Sequence, residues 1–376
     1  MRVAINALSL RPGGGGAVRY GVELLGALAR RHPELRLTVF ISRDAPPELR
    51  RADWADAVRW VRLPLEAAGR ANALAQLAGL TPLAVARRAD VLHSLAGVGP
   101  PRVPGLLATV VTLLDVIWLR LPDQVSMTAA QRAAWVRQTR PATRWSTRVI
   151  TVSESSKRDI ADAYNIDPDR IDVTPLGARL PNVRPAAGDV RERLGIGPGR
   201  MLLCVGQQQP YKAQAELIRA VAQLGEPDVQ LALPGPPTAY GDELRRLAAE
   251  LGIADRVHLL GFVAEEDIEA LYMEALAVVQ PSRMEGFGLP ALEALARGKP
   301  LACSGRSALG EVAGDAALTF DPDEVDSIAA ALRRLLDDEA LRADLARRGP
   351  TRAAEFTWEA TADATVASYR RAVGVG

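Results

Sequence analysis

Apolar positions along the chain follow two spacings in turn. Short β-branched runs stand at 2–8, 37–42, 58–63, 91–95, 108–115, 149–153 and 171–176. They are apolar at nearly every position, as strands covered on both faces of a parallel sheet are. Between several of them the apolar spacing turns helical, over 17–31, 128–144 and 154–164, and serines beside Glu154 suit the start of the last. A second series of strands is expected at 201–205, 229–233, 257–261, 277–280, 300–304 and 317–320. Its helices are expected over 213–224, 241–251, 265–274 and 290–296, and one more helix over 358–371. Strand and helix alternating twice over predict two doubly wound α/β domains. The stretch 177–199, which holds Pro181, Pro185, Gly188, Gly195, Gly197, Pro198 and Gly199, reads as the linker.

The length of 376 residues agrees with two domains, and 48% hydrophobic with 24% charged residues is an ordinary globular composition. Cys204 and Cys303 each sit in an apolar run, which predicts buried free thiols in a reducing compartment, hence a cytoplasmic protein. The first ten residues read as a strand, without the pattern of a signal peptide. The apolar stretch 105–119 is interrupted by Asp115 and is too short to span a bilayer. Charge is unevenly placed: residues 1–182 hold 25 basic and 16 acidic side chains, the remainder 21 and 29. The first half is thus expected either to meet something anionic or to carry arginine over a solvated surface. Within it, 131–148 combines Arg132, Arg137, Arg140, Arg144 and Arg148 with Trp135 and Trp145 and no acid. That pattern suits peripheral contact with an anionic membrane, or a basic surface helix with its tryptophans turned inward. No nucleic-acid partner is expected.

Ligands of doubly wound folds bind beyond the carboxyl ends of the strands, at helix N-termini. Two such domains facing each other would enclose a cleft there. The loop after the strand at 277–280 is Pro281-Ser282-Arg283-Met284-Glu285-Gly286-Phe287-Gly288-Leu289-Pro290, followed by Ala291-Leu292-Glu293. Glu285 is expected in the loop and Glu293 in the first turn of the helix, with Pro290 at the first helical position. The glycines between them let backbone amides approach an anion. One carboxylate suits a vicinal diol such as ribose, the other sugar hydroxyls or a developing positive charge. Gly206 and Gln207 end an earlier strand, and Lys212 is expected to open the next helix, where its ammonium could neutralise a diphosphate. The run Gly13-Gly14-Gly15-Gly16 precedes another helix and could cradle a phosphate, or be a loose turn. It does not fit G-x-G-x-x-G, because Val18 stands where the third glycine would fall. After the strand at 108–115, Asp115 reads as an acceptor-orienting carboxylate or a loop contact, and His93 as a site residue or a structural histidine. Asp167-Pro168-Asp169 and Asp321-Pro322-Asp323 mimic a metal-binding D-x-D but lie in expected turns, and no Cys/His cluster has ligand spacing. No metal site is expected.

The string from Glu285 to Glu293 resembles the E-x7-E signature of retaining glycosyltransferases, notably glycosyltransferase family 4 (group 1). The resemblance runs over nearly the whole chain. It includes Gly15-Gly16-Ala17-Val18-Arg19-Tyr20, Thr151-Val152-Ser153-Glu154-Ser155-Ser156-Lys157, Arg256-Val257-His258-Leu259-Leu260-Gly261-Phe262-Val263, and the helix from Trp358. It implies a GT-B fold, two Rossmann-like domains facing across a cleft. Residues 1–180 would bind the acceptor and 181–356 the nucleotide sugar, with 357–376 packing back on the first domain. It further implies metal-independent, cofactor-free transfer with retention at the anomeric carbon. A hexose (mannosyl, glucosyl or rhamnosyl) would pass from a nucleotide diphosphate sugar to a hydroxyl of a glycan, lipid-linked sugar or small glycoside, as in polysaccharide biosynthesis. Val263 would meet the base, Glu293 the ribose and Glu285 the sugar. Lys212 would hold the diphosphate with Gly206, Gln207 and the amides of Gly286, Phe287, Gly288 and Leu289, while Gly15 and Gly16 would line the other side. Asp115 would orient the acceptor hydroxyl or satisfy its loop, and His93 is the histidine placed to help near the transferred sugar and phosphate. Two positions depart from the family: Leu114 stands where many members have histidine, and Gln207 where an arginine often follows the glycine. The alternatives left open are a weakly catalytic nucleotide-sugar-binding partner, and a GT-B phosphorylase or epimerase.

Overall fold

The computed structural model of the chain describes residues 1–67, 69–100, 102–103, 105–178 and 188–374. They form two compact units. The first comprises Met1–Arg120, Met127–Gly177 and Phe356–Gly376; the second comprises Leu121–Ser126 and Ala178–Glu355.

The first unit is built on strands β1 (Arg2–Asn6), β2 (Arg36–Ile41), β3 (Arg59–Arg62), β4 (Val91–Ser94), β5 (Ala108–Thr112), β6 (Arg148–Thr151) and β7 (Ile171–Val173). They hydrogen-bond in the order β3-β2-β1-β4-β5-β6-β7, every pair parallel. The second unit holds β8 (Arg200–Leu203), β9 (Val229–Pro234), β10 (Val257–Gly261), β11 (Ala277–Gln280), β12 (Leu301–Ser304) and β13 (Leu318–Phe320). Their order is β10-β9-β8-β11-β12-β13, again all parallel. The continuous apolar runs have the expected consequence: β4, β9, β11 and β12 are buried at every residue. Helices cover the sheets, with Leu217, Ile218, Val221, Leu332 and Leu335 fully buried in the second core. Among the described residues no helix is long and apolar enough to cross a membrane.

Three expectations are corrected. The strand expected over 108–115 ends at Thr112, because the Asp115 carboxylate accepts the Ile117 amide at 3.1 Å and turns the chain into a short helix, Ile117–Arg120. The expected linker 177–199 is folded at its end. Asp189 accepts the Arg191 and Glu192 amides and opens a helix, Val190–Leu194, whose Arg191 donates to the carbonyls of Gly197 and Gly199. Residues 179–187, including Pro181 and Pro185, lie outside the described residues. Lys212 does not open a helix: it ends a 3-10 turn, Pro210–Lys212, one residue ahead of the helix Gln214–Leu224.

The helix Trp358–Val373 belongs to the first unit. Thr361 donates to the Pro175 carbonyl at 2.6 Å, and Asp172 on β7 receives Ser368 at 2.6 Å, Arg371 at 2.9 Å and Arg148 at 2.5 Å. These partners outweigh burial and hold the Asp172 carboxyl below its usual range.

In the second unit, Gly235 follows β9 so closely against the loop after β8 that a Cβ there would stand 2.0 Å from the Gly206 carbonyl oxygen. Gly235→Ala is expected to lower unfolding free energy by at least about 2 kcal/mol in urea titration. Gly16→Ala, with nothing within 4 Å of the new methyl, should stay within about 0.5 kcal/mol of the parent.

Candidate functional site

The order β10-β9-β8-β11-β12-β13 reverses its direction of winding between β8 and β11. The loops leaving these two strands diverge from one point at the carboxyl edge, where open α/β sheets bind ligands. The loop after β8 carries Lys212, and the loop after β11 carries Glu285.

Two local features bring these side chains together. Ala213 has φ 51°, a left-handed conformation uncommon without glycine, which turns the chain between Lys212 and the helix Gln214–Leu224. Arg283 ties the loops: its amide donates to the Tyr211 carbonyl at 2.8 Å and its guanidinium to the Pro210 carbonyl at 2.8 Å. The same guanidinium pairs with Glu216 at 3.0 Å and Asp323 at 2.6 Å. Lys212 Nζ then lies 2.5 Å from Glu285 Oε1, which also accepts Ser282 Oγ at 2.7 Å. The Glu285 amide donates to Ser307 Oγ at 3.0 Å. The side chains of Lys212 and Glu285 are 13% and 10% exposed, so water screens the pair little. Burial alone would depress the Lys212 ammonium. The Glu285 carboxylate outweighs it, with help from Tyr211 and Cys204, and holds it above the ordinary lysine range. Cys204 beneath the pair and Cys303 are buried free thiols, each pushed up to about 12 by burial.

The glycines after Glu285 have a specific reason. Gly288 has φ 101°, and a Cβ there would meet Leu309 Cδ2 at 2.7 Å. The helix Leu289–Ala296 starts directly after it, with Pro290 at its second position. Glu293 therefore falls in the second turn and not, as expected, in the first. It is 6% exposed, and its Oε2 accepts the Tyr272 hydroxyl at 3.2 Å. Gly286, Phe287 and Gly288 are buried and Leu289 half-buried. Gln207 is exposed beside half-buried Gly206, and a Cβ on Gly206 would lie 3.9 Å from Lys212 Nζ. Val263 is half-buried after β10, next to Phe262, which is 85% exposed. Arg283, Ser282, Ser307 and Tyr272 were not anticipated. Ser282 and Arg283 stand inside the quoted string, but their partners are distant in sequence or fixed by loop geometry.

In the first unit the winding reverses between β1 and β4. A cavity of ≈ 700 Å³ opens there, lined among others by Leu10, Arg11, Leu114, Asp115, Trp118 and Trp135. Exposed Gly15 and Gly16 start the helix Gly15–Arg31, which has no acidic residue in its first turn. His93 does not reach this cavity's surface. It is fully buried, with Nδ1 bonded to the Tyr369 hydroxyl and Nε2 to the Thr112 hydroxyl, both at 2.7 Å, and Thr112 is also bonded to Tyr20 at 2.9 Å. The catalytic reading of His93 is corrected accordingly, since both ring nitrogens are engaged in the core. The two D-x-D look-alikes serve turns and ion pairs: Asp167 accepts the Asp169 amide, while Asp321 and Asp323 bind Arg306.

Residues 189–352 match the family model described as Glycosyl transferases group 1, and residues 15–177 that of Glycosyl transferase 4-like domain. The chain is 37% identical to an MMP alpha-(1->4)-mannosyltransferase of Mycolicibacterium hassiacum, over 60% of this chain and 54% of that protein. It is also 37% identical to a D-inositol 3-phosphate glycosyltransferase of Frankia alni, over 61% and 60%. It thus spans less than two thirds of the length of these relatives. Among solved structures, sucrose-phosphate synthase of Thermosynechococcus elongatus superposes with TM-score 0.75 at 24% identity, covering 100% of both chains. Anabaena HepE in complex with UDP-glucose gives TM-score 0.73 at 20% identity, covering 98% of this chain and 100% of that one. These likenesses establish a two-domain GT-B fold.

Burial drives the His93 pKa from an ordinary 6.5 down to about 3. Between those values the unfolded chain takes up a proton that the folded chain refuses, so stability falls as pH drops through that window. On going from pH 7 to pH 5 in urea titrations, the parent should lose about 2 kcal/mol more than His93→Gln.

Proposed function

We propose, since the chain belongs to the group 1 glycosyl transferases of the GT-B fold, that it moves a hexose from a nucleotide diphosphate sugar to a hydroxyl acceptor. The observation that carries this reading is the Lys212 ammonium held at 2.5 Å from Glu285 where β8 and β11 diverge. A permanent cation beside the start of the helix Leu289–Ala296 suits a diphosphate, which would accept from Lys212 and from the amides of Gly286 to Leu289. Gly206 and Gln207 would edge the same phosphates, and Val263 would meet the base. Glu293, positioned by Tyr272, would accept the ribose hydroxyls.

Glu285 would take hydroxyls of the transferred sugar. Donor phosphates would compete for Lys212, leaving the Glu285 carboxylate to the sugar. As the bond from the anomeric carbon to phosphate breaks, its electron pair passes to the diphosphate, where Lys212 stabilises the growing charge. The acceptor oxygen then bonds the anomeric carbon on the same face, and its proton passes to the departing phosphate oxygen. This front-face route retains configuration and needs neither a metal nor a protein base, which accords with a His93 that is engaged elsewhere. Relatives named as mannosyltransferases support a hexose, and UDP-glucose in the Anabaena structure makes UDP-sugars the first donors to test.

Thermal unfolding in UDP-, GDP-, dTDP- and ADP-sugars tests the donor half. The true donor at a hundredfold excess over its Kd adds about 2.7 kcal/mol and raises Tm, an effect that Glu293→Ala should abolish. Lys212→Ala should lower kcat about 10²–10³-fold with an unchanged product anomer. Full binding and turnover in both variants would refute the site.

A further inference from the structure

We propose that a second pocket of the first unit binds a phosphate ester between the guanidinium groups of Arg43, Arg50, Arg51 and Arg62, whatever reaction the chain catalyses. This pocket of ≈ 370 Å³ shares no lining residue with the larger cavity between β1 and β4. It lies at the carboxyl ends of β2 and β3, where Ile41 pairs in register with Arg62. Its volume is near the lower end of the range of small-molecule sites, about 300–1,000 Å³, so it suits a phosphate carried on a small polar body.

Three elements bring arginine to the pocket. Arg43 follows β2, Arg62 ends β3, and Arg50 and Arg51 close a short helix, Glu48–Arg51. Local contacts hold the set together. The Arg50 and Arg51 amides donate to the Pro47 carbonyl at 3.0 and 3.1 Å, and fully buried Leu49 pins their helix to the core. The Arg62 guanidinium donates to the Arg43 carbonyl, and the Arg43 guanidinium pairs with Glu66.

The charge balance specifies the ligand. Among the described residues lining the pocket none is acidic. Asp44 and Glu48, close in sequence, do not line it, and the Asp44 carboxylate accepts the Ala67 amide at 2.7 Å. Arg50 and Arg51 are exposed and form no ion pair with a described residue. Like charges gathered in this way repel, and a bound anion relieves the repulsion. A phosphate monoester brings about 1.5–2 negative charges and three acceptor oxygens, enough for several planar guanidinium forks. A carboxylate brings one charge and two oxygens. Four of the 25 basic side chains in residues 1–182 thus converge on one pocket, which favours an anionic ligand over a merely solvated surface.

A titration of the full chain at low ionic strength, followed on the side-chain Nε–H NMR signals of Arg50, Arg51 and Arg62, tests the site. These signals report on the pocket alone, apart from any phosphate taken up at Lys212. The free probe is glycerol phosphate, with acetate for comparison. The lipid probe is phosphatidylcholine vesicles containing phosphatidic acid, read by co-sedimentation. Glycerol phosphate should shift the three signals saturably and bind at least about tenfold tighter than acetate. Arg50→Lys with Arg51→Lys keeps the charge but loses the forks, and should weaken that binding about tenfold. Arg50→Gln with Arg51→Gln should abolish it. Co-sedimentation that the glutamine variant also abolishes would support the site and identify a lipid headgroup as the source. Saturable binding of glycerol phosphate without co-sedimentation would support it with a free phosphate ester as the source. No saturable shift with glycerol phosphate, acetate binding as tightly, or a lysine variant that binds like the parent would each overturn the proposal.

Discussion

An ammonium and a carboxylate held 2.5 Å apart and nearly out of water organise the second unit. Removing either partner of such a pair leaves a buried charge uncompensated, at a cost of about 3–5 kcal/mol. The loops therefore have to hold both in register, and the surrounding structure does so. The reversal between β8 and β11 brings the loops together, and Arg283 binds the carbonyls of Pro210 and Tyr211 from the other side. Ala213 accepts a left-handed backbone, and Gly235 gives up its side chain so that the loop after β8 can close in. Such local departures from backbone preference are tolerated where the neighbours over-determine them.

The first unit solves a different problem. Behind the end of β5 runs a buried polar chain, Tyr369–His93–Thr112–Tyr20, in which each hydroxyl or ring nitrogen has a partner. Thr112 is the last residue of β5 and also lines the cavity. The network fixes the strand end from which Leu114 and Asp115 emerge. His93 thus bonds Thr112 from within the core. Satisfied buried networks of this kind specify one geometry, because every alternative leaves a polar group unpaired.

The strands were legible because a parallel sheet covered on both faces demands continuous apolar runs, and few other structures do. Both sheets, their order of elements and the string around Glu285 follow from that pattern and from glycine and proline placement. What stayed hidden depends on contacts distant in sequence or on single backbone torsions. His93 looks like any strand-end histidine until Tyr369, from the last helix, reaches it. Glu293 falls one position further into the helix, past the first turn, because Leu289 and not Pro290 is its first residue. The folded part of the expected linker depends on Asp189 as a cap and on Arg191 reaching back to Gly197 and Gly199. Arg283 stood in plain view, but its partners Glu216 and Asp323 are brought to it only by the fold.

The central claim is that the divergence of β8 and β11 is a diphosphate site built around Lys212. A crystal structure of the chain with a nucleoside diphosphate tests it most directly. The account predicts the phosphates within hydrogen-bond reach of Lys212 Nζ and the amides of Gly286 to Leu289, with the ribose against Glu293. Phosphates bound away from Lys212, with its contact to Glu285 undisturbed and the Gly286–Leu289 loop empty, would contradict it.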